Sequence, residues 1–132
     1  MDSAFLLTAA EFEKLKTLSN QRDHGDVDGL FRSEIDDLLA NAWHRELGVE
    51  RYMVLRLTGP RGHTVAMQVR YFEGWASADC PFVMLAGPKL GRNGAIGRAK
   101  YSHEMFAGTR IERRLLDGTW RSLGVFTGRI QA

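Results

Sequence analysis

Cysteine is nearly absent. Cys80 stands alone, so no internal disulfide can staple the chain, and this usage fits a reducing compartment. Long apolar runs are missing too, and nothing approaches the roughly 20 residues that span a bilayer. No basic stretch precedes an apolar run near the start, as a secretory leader would require. The expectation is a cytoplasmic protein that does not enter a membrane. Short-spaced metal ligands are also lacking. His24, His44, His63 and His103 form no pair at ligand spacing, so no metal or other cofactor is expected. No internal repeat or low-complexity tract interrupts the 132 residues, whose length fits one domain. With 44% apolar and 26% charged residues, the chain can bury a core, and disorder is expected only in a few residues at each end. Lysine is scarce, four against fourteen arginines. Arginine suits planar contacts with phosphate or carboxylate, although a GC-rich genome gives the same bias.

What is present is a charge split. Residues 1–50 hold eleven acids and five bases, a net charge of −6. Residues 51–132 hold thirteen bases and five acids, a net charge of +8. A basic half attracts acidic partners, and an acidic half repels or screens them.

The acidic part reads as helical. Thr8-Ala9-Ala10-Glu11 is a capping box, with Leu7 and Phe12 placed as a hydrophobic staple. It opens a helix over about Ala9–Leu18, with Phe12, Leu15 and Leu18 on one face. Asp26 or Asp28 caps a second helix. Its stripe is Leu30, Phe31, Ile35, Leu38, Leu39, Ala42, Trp43 and Leu47, and Gly48 is its left-handed C-cap. The basic part reads as β. Arg51–Thr58 and Thr64–Phe72 flank a turn-rich loop, with Val65, Met67, Val69 and Tyr71 on one face and Ala66, Gln68, Arg70 and Phe72 on the other. Gly74–Asp79 reads as a connection, Phe82–Ala86 as a short strand and Gly87–Lys100 as a glycine-rich loop. Tyr101–Gly108 fits either a strand or a helical turn. Arg110–Leu116 and Thr119–Phe126 flank Asp117-Gly118, which suits a two-residue turn pairing Leu115 with Trp120 and Arg114 with Arg121. The expected fold is α+β: two helices on a mainly antiparallel sheet of about five strands.

Two segments concentrate the positive charge. In the hairpin register above, Arg110, Glu112, Arg114 and Arg121 share one face, with Ile111, Leu115 and Trp120 on the other. Opposed Arg114 and Arg121 repel, and an acidic ligand would relieve them. An ordinary solvated sheet face accounts for the same residues. The second segment, Lys89 to Lys100, adds Arg92 and Arg98 among glycines whose amides could cradle phosphate. A mobile surface loop is the alternative. Its Gly91-Arg92-Asn93-Gly94 resembles the GXXG loop of KH RNA-binding domains, but that loop joins two helices and here a strand-like run precedes it. The P-loop ending Gly-Lys-Ser/Thr is missing.

Other chemistry is weaker. A calcium loop anchored on Gly29 would need Ile35 as its last ligand, so Asp23–Gly29 reads as a capping turn. His103 and Glu104 are adjacent on a strand and point to opposite faces. Asp79 disfavours a thiolate at Cys80, which reads as a buried structural thiol. Trp43, Trp75 and Trp120 read as core.

The leading expectation is a small non-catalytic binding protein: a regulator, adaptor or inhibitor. It would dock an acidic macromolecule, nucleic acid or protein, on Lys89, Arg92, Arg98, Lys100, Arg110, Arg114 and Arg121. The early helices and the final strand–Asp-Gly–Trp–strand hairpin also resemble the NTF2-like (SnoaL-type) family. That resemblance implies helices folded over a curved sheet around an apolar pocket, with His63, Tyr71, His103 or Glu104 as groups to test. A third reading uses Asp36, Asp37 and Glu46 to mimic a phosphate row. Both poles together could also build a head-to-tail oligomer.

Overall fold

The computed structural model describes residues 3–76 and 81–130. Asp79 and Cys80 lie outside the described residues. The order is β1 (Ser3–Leu7), α1 (Ala9–His24), a 3-10 turn (Val27–Gly29), α2 (Leu30–Leu47), β2 (Val54–Thr58), β3 (Thr64–Gln68), β4 (Tyr71–Ala76), β5 (Pro81–Leu90), β6 (Ile96–Glu104), β7 (Thr109–Arg114) and β8 (Trp120–Ile130). The fold is α+β, with two helices on a curled, mainly antiparallel sheet. Among the described residues the sheet has eight strands rather than about five, in the order β1-β8-β7-β2-β3-β5-β4, with β6 on the other side of β5.

The helix ends follow local chemistry. The Glu11 amide donates to the Thr8 hydroxyl at 3.2 Å, and the Thr8 amide donates to Glu11 Oε1 at 2.9 Å, closing the capping box. The helix then continues past Leu18 to His24. The Asp26 carboxylate accepts the amides of Phe31 at 2.8 Å and Arg32 at 3.1 Å, so Asp26 caps α2 across the 3-10 turn. Gly48 ends α2 at φ 67°, a left-handed backbone that glycine adopts without a Cβ penalty.

One core lies between the helices and the inner face of the sheet. Trp43 is wholly buried and stacks on Phe126 at 5.7 Å, among Leu39, Phe72, Leu55 and Leu85. Trp75 and Trp120 do not join it. Trp75 is 39% exposed and stacks on Phe82, and Trp120 is half-buried on the opposite sheet face.

The strand read as Thr64–Phe72 is two strands with a break at Val69-Arg70. The break changes the alternation. Met67, Val69 and Phe72 are all buried, and Tyr71 turns to the other side, where the Lys100 ammonium lies 5.1 Å from its ring. Gly74 to Ala76, read as connection, belong to β4.

β4 ends the sheet, and side chains from the helices occupy its outward edge. The Phe72 amide donates to Asp36 Oδ1 at 2.6 Å, and the Ala76 amide donates to the Ser19 hydroxyl at 3.1 Å. Arg22 Nη1 donates to the Gly74 carbonyl at 3.1 Å. An otherwise open edge thus has its polar groups satisfied. It also explains why Ser19 is buried on a helix that carries few apolar residues.

Gly87 to Lys100 is not a loop. β5 and β6 form a hairpin arm with only residues 91–95 between them. The glycines permit close approach of backbones. A Cβ on Gly87 would overlap the Gln68 carbonyl oxygen, and one on Gly97 would sit 2.7 Å from the Lys89 carbonyl oxygen.

Candidate partner-binding surface

Strand parity decides which cations share a face. Arg56 is paired with Ala66 and Glu112, between the buried neighbours Leu55 and Leu57. Arg56, Arg110, Glu112 and Arg114 therefore point away from the core. Lys100 is paired with Pro88, and Arg98, in the register irregularity that follows, lines one open depression with Arg70, Tyr71, Pro88 and Lys100. Pro88 alternates with Lys89, which is paired with buried Met67, so Lys100 lies on the outer face, and the shared depression sets Arg98 there as well. Arg70 Nε donates to Gln68 Oε1 at 2.6 Å on that face.

The outer face thus gathers Arg56, Arg70, Arg98, Lys100, Arg110 and Arg114, with Glu73, Glu104 and Glu112 as its acids. Glu112 and Glu73 engage cations of this face. Glu112 holds Arg56 through two hydrogen bonds of 2.9 Å, and Lys100 Nζ lies 2.9 Å from Glu73. Arg56 keeps the Glu112 carboxyl below its ordinary range, and Arg110 adds to that. The Tyr71 hydroxyl and Glu73 raise the Lys100 ammonium above its own. Arg98, Arg110 and Arg114 have no ion-pair partner among the described residues. Aromatic rings interleave with the cations. The Arg56 guanidinium lies 4.7 Å from Trp120, and Arg70 lies 5.8 Å from Tyr52.

The terminal hairpin differs from the expected register by one residue. Arg114 is paired with Trp120 and Arg113 with Arg121. The cause is the turn. The Gly118 amide donates to the Leu115 carbonyl at 3.0 Å, and the Leu115 amide to Thr119 at 2.8 Å. Gly118 stands at φ 86°, closing a three-residue loop instead of a two-residue one. A one-residue shift exchanges faces. Trp120 joins Arg110, Glu112 and Arg114 outside, and Arg121 leaves them to oppose Arg113 on the side of Leu55 and Ile111.

The opposed arginines are therefore Arg113 and Arg121. Arg113 Nε is buried and has no hydrogen-bond partner among the described residues. Arg113 and Arg114 line an open groove of about 1070 Å³ between the hairpin tip and residues 50–54. Tyr52 in that groove is 65% exposed and sits at φ 71°, a conformation costly for a bulky residue. Hydrogen bonds hold it there: its amide to the Val69 carbonyl at 2.6 Å, and its carbonyl from Gln68 Nε2 at 3.1 Å.

Of the residues expected to bind a partner, Arg98, Lys100, Arg110 and Arg114 come together on one face. Arg92 lies in the β5–β6 turn. Lys89 points inward, 4.3 Å from the Tyr101 ring, and Arg121 also lies off the outer face. Arg56 and Arg70 were not among the expected residues. Alternation with Leu55 and Leu57, and with Gln68, is the signal that marks them.

The acidic helices cover the inner face, across the core. Glu13, Asp23, Asp28, Glu34 and Asp37 are exposed there, so the charge split becomes two sides of one molecule. Asp36 and Asp37 are engaged by Arg51, at 2.9 Å and 3.3 Å. Burial raises the Asp36 carboxyl above its ordinary value, against the pull of the Phe72 amide and Arg51. Glu46 is engaged by Arg45.

The pocket groups named for the NTF2-like reading separate. His63 and His103 line one cavity, whereas Tyr71 and Glu104 belong to the outer face. The space between helices and sheet is occupied by the packed core. Among the described residues, no group of three or more His, Cys, Asp and Glu side chains converges, and no helix is long and apolar enough to cross a membrane. No protein-family model, no curated protein and no solved structure matches the chain.

Proposed function

We propose that the chain is a small non-catalytic binding protein, a regulator, adaptor or inhibitor, that docks an acidic macromolecule on the outer face and hairpin end of its sheet. The observation that supports this reading is the excess of arginine on the outer face. Arg98, Arg110 and Arg114 form no close ion pair among the described residues, and the helices opposite are acidic. Such a dipolar charge distribution orients an acidic partner toward the sheet. The aromatic rings beside the cations add flat contact area suited to nucleic acid bases or to a protein interface. The lone cysteine suits a cytoplasmic setting.

The test is co-precipitation from a native lysate and gel-shift with single-stranded nucleic acid, each at low and high salt. Binding is expected to fall steeply as salt rises, because displaced counterions drive it. The double variant Arg110→Glu/Arg114→Glu should abolish binding while its melting temperature stays unchanged. Binding that ignores both salt and this double reversal would overturn the proposal. The fraction that binds, nucleic acid or acidic protein, names the partner class.

A further inference from the structure

At the end of the sheet away from the hairpin tip, the inner face is not covered by the helices. A partly enclosed cavity of about 530 Å³ opens there, lined by Pro60, Arg61, His63, His103, Phe106 and Thr109. This is the volume of a small-molecule site. Most of its wall is apolar, and the Phe106 side chain is 54% exposed, as an aromatic group facing an occupant would be. The β2–β3 loop supplies one side, and β6 with the turn before β7 supplies the other.

Among the described residues, its ionisable side chains are all nitrogen bases: Arg61, His63 and His103. His103 is paired with buried Leu85, which sets its ring on the inner face. The Tyr101 hydroxyl meets His103 Nδ1 at 2.8 Å. With the phenol donating, the ring proton sits on Nε2, a donor for a ligand. His63 and Arg61 stand across the cavity, and the Lys89 ammonium lies over the Tyr101 ring at 4.3 Å. No carboxylate lines the cavity among the described residues. Burial, with His63 and Lys89 adding, holds the His103 imidazole below its ordinary pKa. The cavity thus has an apolar body and a cluster of donors awaiting one negative charge. A doubly charged phosphate would lose more hydration on entering such a wall than a carboxylate would.

We propose that this cavity binds a small carboxylate with an apolar body, of the benzoate or isovalerate class, its carboxylate on His103 and His63 and its body on Pro60 and Phe106. The site is independent of the docking face, being on the opposite side of the sheet.

The test is an NMR titration of the isotope-labelled full chain at neutral pH with benzoate and isovalerate, and with benzamide as the neutral analogue. Saturable shifts are expected at His63, His103, Phe106 and Thr109. Benzoate should bind at least tenfold tighter than benzamide, and His103 should titrate at a higher pH in its presence. His103→Gln and Phe106→Ala should each weaken benzoate at least tenfold. His63→Gln, at an exposed position, gives the same reading where His103→Gln disturbs the fold. Absence of saturable shifts with both acids up to about 10 mM overturns the proposal, as does benzamide binding as tightly as benzoate.

Discussion

Asp36 accepts the backbone amide of Phe72 at 2.6 Å, so a helix side chain stands where a ninth strand would pair. The same carboxylate meets Arg51 at 2.9 Å. Removing it leaves a strand amide without an acceptor. Asp36→Ala is therefore expected to lower stability by about 1–3 kcal/mol in urea unfolding, and Asp36→Asn by less. Faster hydrogen exchange at Phe72, with the Leu55–Met67 pair still protected, would locate the loss at the β4 edge.

Gly87 has no room for a side chain, because a Cβ there would meet the backbone of Gln68. Gly87→Ala must push β5 from β3, at an expected cost of about 1–3 kcal/mol. Gly94→Ala has open space and costs only the left-handed backbone, about 1 kcal/mol. Thermal melts of the two variants compare them directly. Equal shifts would mean that the close approach at Gly87 does not matter.

These glycines show where the sequence stops being legible. Capping at Thr8, Asp26 and Gly48 is local chemistry, and all three positions act as their residue types require. The β2–β3 hairpin follows from alternation over a few residues. Gly87 and Gly97 read as loop because a glycine tolerated by a turn and one demanded by a neighbouring backbone look alike without that neighbour. Asp117-Gly118 fits two hairpin turns, and the choice between them moved Arg121 to the other face. β1 has too few residues for a period to show, and its partner is the last described strand. Of the candidate residues on the outer face, charge alone marks those on β6 and β7, whereas Arg56 and Arg70 need strand parity.

The Glu11 carboxylate takes two hydrogen bonds of 2.7 Å from Arg45, which hold its pKa below the ordinary 4.5. A depressed folded value means stabilisation present above the unfolded pKa and lost as pH falls through the folded one. Asp36, raised from 3.8, acts oppositely, and its share declines as pH rises through its folded value. Glu11→Gln is expected to flatten the acid limb of the stability–pH curve below about pH 5. An unaltered acid limb would show that the pair carries no linkage.

Glu112 neutralises Arg56 beneath Trp120. Glu112→Gln frees that charge while changing stability by under about 1 kcal/mol, as for exposed ion pairs. Affinity for the acidic partner should rise, with a steeper salt dependence. A fall in affinity would place Glu112 in contact with the partner instead.

β1 lies parallel to β8, Ser3 beside Val125 and Leu7 beside Ile130. During synthesis the earliest described strand must wait for the last before its hydrogen bonds can form. No partial chain that stops short of Trp120–Ile130 can complete this edge, so the sheet closes only after both of its ends have been made. Closing so long a loop is slow, and refolding from denaturant is expected on the millisecond-to-second scale of non-local β topologies, measurable by stopped-flow fluorescence. Microsecond refolding would mean that β1 adds after the main barrier.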